Sequence, residues 1–420
     1  MLDAQFVCQG IAAKMRDPSI LNFKKLDASL SQGTTGIALF YSLMHQAFPR
    51  DGWDLYAENY LSLSLERFRE NRLVQCSLME GFSGLGFVLN TLGDGHKTKK
   101  LQEQVDEALF ISVRRAYLDV GHRYLNDSTI VHPGYYNIDI GLSGIILYLI
   151  SKKNSADAWQ LLKESLELLA KVLLVKKRVN GKTYPAWYMS AELINFEHKD
   201  PYFEGGFNVS MPSGISGALI ALSLGVKAGV KSDLVLKCID DISSWMMQAF
   251  TAVLNTGYWN SILSSDGSMP VLPPQFDLLR QTWAGGWPSV LKGMNHAASV
   301  SDNSLLRSFA GDLCKTLLKD AKILKKGALT LSIGMAGFLC SAHRLTNENN
   351  DSTLLNTTVE FKNEIVRAYD PYLPLGFQQC LMDEFGNIQW QDVPGLLHGV
   401  SGIGVALLLV QNKIKDLDFL

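Results

Sequence analysis

An imidazole at His398, carboxyls at Glu80 and Asp139 and a guanidinium at Arg280 are the side chains of this sequence best suited to moving protons and holding anions. A histidine titrates near neutrality, so His398 has the range for general acid–base work. Arg280 suits a developing oxyanion or a carboxylate, and the two carboxyls suit orienting or pairing with either. Their spacing is what groups them. His398 directly precedes Gly399, Glu80 directly precedes Gly81, Asp139 stands two before Gly141, and Arg280 stands six before Gly286. Each has a plainer reading as a residue that caps or solvates a helix start.

Those glycines belong to a repeat. Pairs three apart, each followed by an apolar run, occur at Gly33/Gly36, Gly81/Gly84, Gly141/Gly144, Gly214/Gly217, Gly334/Gly337 and Gly399/Gly402. A seventh copy is degenerate, with Ser289 in place of the second glycine after Gly286. The residues before the first glycines are Gln32, Glu80, Ile140, Ser213, Gly285, Ile333 and His398. No copy is followed by the Lys-Ser/Thr of a phosphate loop, and the spacing is not that of the membrane GxxxG motif. The expected role is a packing turn in which the missing Cβ allows close approach and positive φ.

Between the copies, residues 53–71, 99–119, 155–175, 231–252, 302–322 and 351–369 carry apolar positions at helical spacing on one face and charges on the other. The glycine-led segments are apolar all round, as in IILYLI after Gly144. An all-apolar helix is buried, and a one-sided helix faces core and solvent. The pattern predicts an all-α fold over residues 1–420 as one domain: an α/α toroid, or double α-barrel, of seven inner/outer helix pairs with the glycine loops around one mouth. Residues 176–210 break the pattern with Gly, Pro and the rings of Tyr184, Trp187, Tyr188 and Phe196. A long connector loop over the mouth that grips substrate is the expectation there.

Composition narrows the partners. With 420 residues, 47% apolar, 19% charged and a net charge of −2, the chain has a globular balance and no basic footprint for nucleic acid. No apolar run is long enough to span a membrane, and the N-terminus lacks a signal-peptide pattern. Six scattered cysteines, without CxxC spacing, fit a reduced cytoplasm.

Several stretches are more specific than the glycines. The segments Asn208-Val-Ser-Met-Pro-Ser-Gly-Ile-Ser-Gly217, Arg280-Gln-Thr-Trp-Ala-Gly-Gly286 and Ser332-Ile-Gly-Met-Ala-Gly337 resemble segments of the lanthionine synthetase C-like family, and the likeness spans essentially the whole chain. That resemblance implies a double α-barrel closing thioether rings in a dehydrated, ribosomally made precursor peptide. A peptide thiol adds to a dehydroamino acid, with zinc on two Cys and one His holding the sulfur. It implies a dehydratase or an active cyclase as further partners, and Trp283 as a framework residue against substrate.

At the matching positions the zinc ligands fall on Ala284, Ser332 and Ile333, the proton-handling His on Ser213, and the family Asp on Asn137. Ala and Ile offer no donor, so neither a metal nor any other cofactor is expected. The candidates that remain are His398, Arg280, Asp139 and Glu80 for catalysis, and Trp283, Tyr184, Trp187 and Tyr188 for substrate. Two readings stay open: a zinc-independent cyclase, and an inactive homologue that binds the precursor or scaffolds the modifying enzymes. Carbohydrate-active or prenyl-transferring toroids share only the architecture.

Overall fold

The computed structural model describes residues 3–18, 26–70, 75–93, 96–127, 129–194, 204–271, 280–318, 328–349, 352–382, 388–415, 417 and 419. In chain order the helices are α1 (Ala4–Lys14), α2 (Thr34–Ala47), α3 (Trp53–Glu70), α4 (Phe82–Leu92), α5 (His96–Val113), α6 (Asp119–Asn126), α7 (Pro133–Tyr136) and α8 (Leu142–Ser151). They continue as α9 (Ala156–Leu174), α10 (Ile215–Lys227), α11 (Asp233–Thr256), α12 (Trp287–Val300), α13 (Ser304–Leu317), α14 (Met335–Asn349), α15 (Ser352–Arg367) and α16 (Val400–Val410). The stretches expected at 302–322 and 351–369 are α13 and α15, while residues 319–322 and 351 lie outside the described residues.

Sequence pattern separates two layers. In α8 every residue from Leu142 to Leu149 is buried, as its all-apolar surface requires. In α9 the Ser155 hydroxyl accepts from the Ala158 N–H at the start. That helix buries Leu161, Leu162, Leu166, Leu169 and Val172 and turns its lysines and glutamates outward. The inner helices α2, α4, α8, α10, α12, α14 and α16 each pack on the next, and α16 packs back on α2, so the inner ring closes. Outer partners follow: α3 on α2, α5 on α4, α9 on α8, α11 on α10, α13 on α12 and α15 on α14.

The chain beyond α16 supplies no seventh outer helix among the described residues. The N-terminal α1 takes that place, packing on α16, α2 and α15. The toroid of seven pairs is therefore closed by joining the two ends of the chain. Between α5 and α6 lies a single π-helical turn at Arg114–Leu118, so residues 96–126 run as one continuous helical stretch.

The connector is more ordered than a loop. Strands β1 (Lys177–Val179) and β2 (Lys182–Tyr184) form a hairpin turning at Asn180 and Gly181. Strand β3 (Tyr188–Met189) pairs antiparallel with β4 (Gly206–Asn208), which pairs with β5 (Ile262–Ser264). A further antiparallel pair joins β6 (Gln379–Met382) and β7 (Ile388–Gln391). Phe196 lies outside the described residues. Among the described residues no helix is long and apolar enough to cross a membrane.

Candidate functional site

Each inner helix starts at the same end of the barrel, and the residues before it form the rim of a mouth. The first glycines Gly33, Gly81, Gly141, Gly214, Gly286 and Gly399 are helix N-caps in extended conformation, with φ from −84 to −136°. The expected positive φ is absent from the repeat glycines; close approach alone explains them. At Gly337 a Cβ would overlap the Leu331 carbonyl and lie 2.6 Å from Trp283 Cβ. At Gly84 it would overlap the Leu78 carbonyl and lie 3.1 Å from Leu30 Cβ. The second glycine of one unit thus seats a side chain of the preceding unit.

Backbone hydrogen bonds lace the loops together around the rim. Leu30 N–H donates to Met79 O at 2.7 Å, Met79 N–H to Asp139 O at 3.2 Å, and Asp139 N–H to Pro212 O at 3.1 Å. On the other side Ala284 N–H donates to Ser332 O, Ser332 N–H to Leu397 O and Leu397 N–H to Ser31 O, at 2.8–2.9 Å. The rim is a bonded belt, and side chains at its upper edge are held in fixed register.

Glu80 and Asp139 come from adjacent loops and face one another electrostatically. Burial, reinforced by the Glu80 charge, pushes the Asp139 carboxyl up to about 6, because a carboxylate out of water beside another negative charge resists ionisation. The Ser31 hydroxyl donates to Glu80 Oε1 at 2.5 Å and lies 3.0 Å from Ser29 Oγ. Ser31 was not among the sequence candidates. Its register, two residues before a repeat glycine like Asp139, was the available signal. His398 stands on the loop before α16, next round the ring from the loop of Ser31, and half-burial pulls its imidazole below the ordinary value. Arg280 stands apart, on the loop before α12, with its guanidinium 4.0 Å from the Tyr258 ring centroid. Ser31, Glu80 and Asp139 therefore sit on three consecutive loops of the rim, with His398 one loop before Ser31 and three from Asp139, and Arg280 two loops from Asp139 on the other side.

The expected aromatic grip takes a different form. Tyr184, Trp187, Tyr188 and Trp283 are 9, 5, 3 and 2% exposed. Tyr184 stacks on Tyr188 at 4.3 Å, Trp187 meets Trp245 of α11 edge-on at 5.5 Å, and the Tyr188 hydroxyl donates to Glu204 O. These rings anchor the connector on the flank of an outer helix, because so much apolar area gains more from packing than from waiting in solvent. Trp283 is held from inside, donating its Nε1 hydrogen to Phe419 O.

A cavity of about 430 Å³ lies beside these rings, lined by Thr183, Tyr184, Trp187, Asp241 and Trp245, and further open space lies beside the carboxyl arc. A cavity of about 440 Å³ is lined by Ser29, Gln75 and Glu80, with Arg67 and Phe68. A second, of about 550 Å³, is lined by Gln75, Tyr117, Tyr124, Tyr135 and Ile140. Both include Gln75, so the two lie side by side along the rim outside Glu80 and Ile140.

The positions matched to zinc ligands can be tested on their chemistry. Ala284 and Ser332 are adjacent through the 2.9 Å backbone bond, and Ile333 follows with its side chain 38% exposed. A methyl, a neutral hydroxyl and a branched alkyl group do not fit a zinc ion, which needs thiolate, imidazole or carboxylate donors. Among the described residues no group of three or more His, Cys, Asp or Glu has a metal-holding arrangement. Burial also pushes the thiols of Cys76 and Cys238 up to about 11 and about 12, so these cysteines are packing groups rather than nucleophiles.

The family model described as lanthionine synthetase C-like protein matches residues 24–419. Among solved structures, nisin cyclase is similar in fold, with a TM-score of 0.68 covering 99% of this chain and 94% of that one at 18% identity. No curated protein sequence matches the chain.

Proposed function

Because the chain belongs to the lanthionine synthetase C-like family, we propose that it acts on a dehydrated, ribosomally made peptide and closes thioether rings without zinc, at the carboxyl arc of the mouth. The observation that carries this is the Asp139–Glu80 pair, with Asp139 at about 6. An ordinary carboxylate near 4 is too weak a base for a thiol near 8.5. Raising it to about 6 cuts the uphill gap to roughly 2.5 units, or about 3.4 kcal/mol. Held geometry then does the rest, since well-oriented partners reach very large effective molarities.

The step balances without a further reactant. Asp139 takes the proton from a peptide cysteine thiol. The sulfur bonds to Cβ of a dehydroalanine or dehydrobutyrine while the Cα–Cβ π bond breaks. The proton returns from Asp139 to Cα. His398, three loops from Asp139 round the ring and neutral because burial disfavours its charged form, offers a ring N–H to a carbonyl of the peptide lying across the mouth. The cavity of Tyr117, Tyr124 and Tyr135 suits an extended peptide, offering aromatic faces with polar ends.

A second reading is favoured by the side chains at Ala284, Ser332 and Ile333: a homologue that holds the precursor for a dehydratase or an active cyclase, without chemistry. Incubating the purified protein with a dehydrated precursor, followed by thiol alkylation and mass spectrometry, separates the two. Ring formation above the protein-free rate, lost in Asp139→Asn, supports the cyclase. Tight binding with no rate increase sinks it in favour of the binder.

A further inference from the structure

The ring of inner helices should enclose a lumen, and one residue reports what fills it. The Phe419 ring meets Phe87 of α4 edge-on, with centroids 5.3 Å apart. The Phe419 carbonyl accepts from Trp283 Nε1 at 3.2 Å. Phe87 belongs to the second unit and Trp283 to the fifth, three steps apart in a ring of seven and so as far across it as two units can be. A single residue can touch both only from near the barrel axis.

The described residues after α16 mark a path there. Helix α16 ends at Val410, at the end of the barrel away from the mouth. Lys413 lies just beyond, its ammonium 5.7 Å from the ring of Phe48, which closes α2 at that same end. Ile414, Leu417 and Phe419 are 9, 7 and 1% exposed. Phe87 is three residues past Gly84, so Phe419 sits about 4.5 Å, or roughly one helical turn, below the glycine motif. Six residues from Lys413 to Phe419 reach at most about 21 Å extended, enough to climb to that level from the base of α2, a rise of about 13 Å.

We propose that the segment after α16 is a fixed floor inside the barrel, with Phe419 packed within it. On this assignment the barrel is a blind cup open at the glycine-loop end, because Phe419, 1% exposed, leaves no passage beside it. Peptide lies across the mouth and does not thread the lumen, a consequence that rests on the mouth being where peptide binds.

The full-length Phe87→Cys/Phe419→Cys protein, treated with the fluorogenic dithiol reagent dibromobimane, tests the placement. A bridge between 87 and 419, mapped by mass spectrometry, is expected, with single-cysteine controls unbridged. Two separately labelled thiols in a protein with unchanged helical circular dichroism would overturn it. In the unaltered protein, amides of 411–419 are expected to exchange at least a hundredfold slower than in the free peptide, and free-peptide rates would overturn the floor independently.

Threading is read by the affinity of a dehydrated peptide, a measurement needing no turnover. The bimane-bridged protein is expected to keep the affinity of its single-cysteine controls, and binding lost on bridging would overturn the fixed floor. If no form binds peptide, the peptide reading fails while the bridging and exchange results still decide where the segment lies.

Discussion

The Ser31 hydroxyl donates to Glu80 Oε1 at 2.5 Å, joining the first loop of the mouth to the second, and the Glu80 charge adds to burial in raising Asp139 on the third. Three loops far apart in sequence thereby share one proton-handling environment. The effect on Asp139 is read by what happens when each partner is changed.

If Asp139 is the base, ring formation should rise with pH through about 6, where its carboxyl loses the proton, and level off above. Glu80→Gln removes the like charge and should move that midpoint down, while Asp139→Asn should lower the rate on the order of a hundredfold or more. A pH–rate profile unmoved by Glu80→Gln would contradict the coupling.

The same shift has a stability signature. Asp139 titrates at about 6 in the folded chain and in the ordinary carboxylate range when unfolded, so between those values the folded state binds more protons. Its contribution is whole below the ordinary range and is lost as pH rises through about 6. Asp139→Asn should therefore gain about 1–2 kcal/mol over the unaltered protein at pH 7.5 and much less at pH 4, after allowance for partial solvent screening. Urea midpoints at the two pH values decide it; an equal difference at both would exclude this cause.

Two glycine-to-alanine changes should have opposite signs. Gly337→Ala drives a methyl into the Leu331 carbonyl and Trp283 Cβ, and should cost about 1–3 kcal/mol as overpacking. Gly311, inside α13 with nothing within 4 Å of its missing Cβ, should gain up to about 1 kcal/mol as alanine. Thermal melts of the two variants give the comparison, and a stabilised Gly337→Ala would remove the close-approach account of the repeat.

The hydrogen-bonded juxtaposition of Ala284 and Ser332 makes a zinc site buildable at these positions. The triple variant Ala284→Cys, Ser332→Cys, Ile333→His should retain about one equivalent of zinc after dialysis, measured by elemental analysis. One equivalent of zinc in the unaltered protein would show instead that other donors serve.

The layering was legible because it rests on periodicity, which is local. All-apolar runs after each glycine pair had to be buried, one-sided helices had to cover them, and six such outer stretches could be read directly. The seventh outer helix could not be paired from pattern alone: α1 is far in sequence from α16, and only ring closure brings them together. The packing of the aromatic connector was not legible for a related reason. Composition shows that Tyr184, Trp187 and Tyr188 are aromatic, but not that Trp245 offers a surface to bury them.

What the sequence by itself determined is the repeat, the order of inner and outer helices, the family likeness and the absence of donor side chains at Ala284 and Ile333. All of these follow from residue type and spacing along the chain. What only the tertiary structure decided is which residues meet: Glu80 with Asp139 and Ser31, Arg280 with Tyr258, and Phe419 between opposite walls. The physical reason is that a side chain's ionisation and reach depend on its neighbours in space, and in a closed ring those neighbours come from loops that the sequence holds far apart.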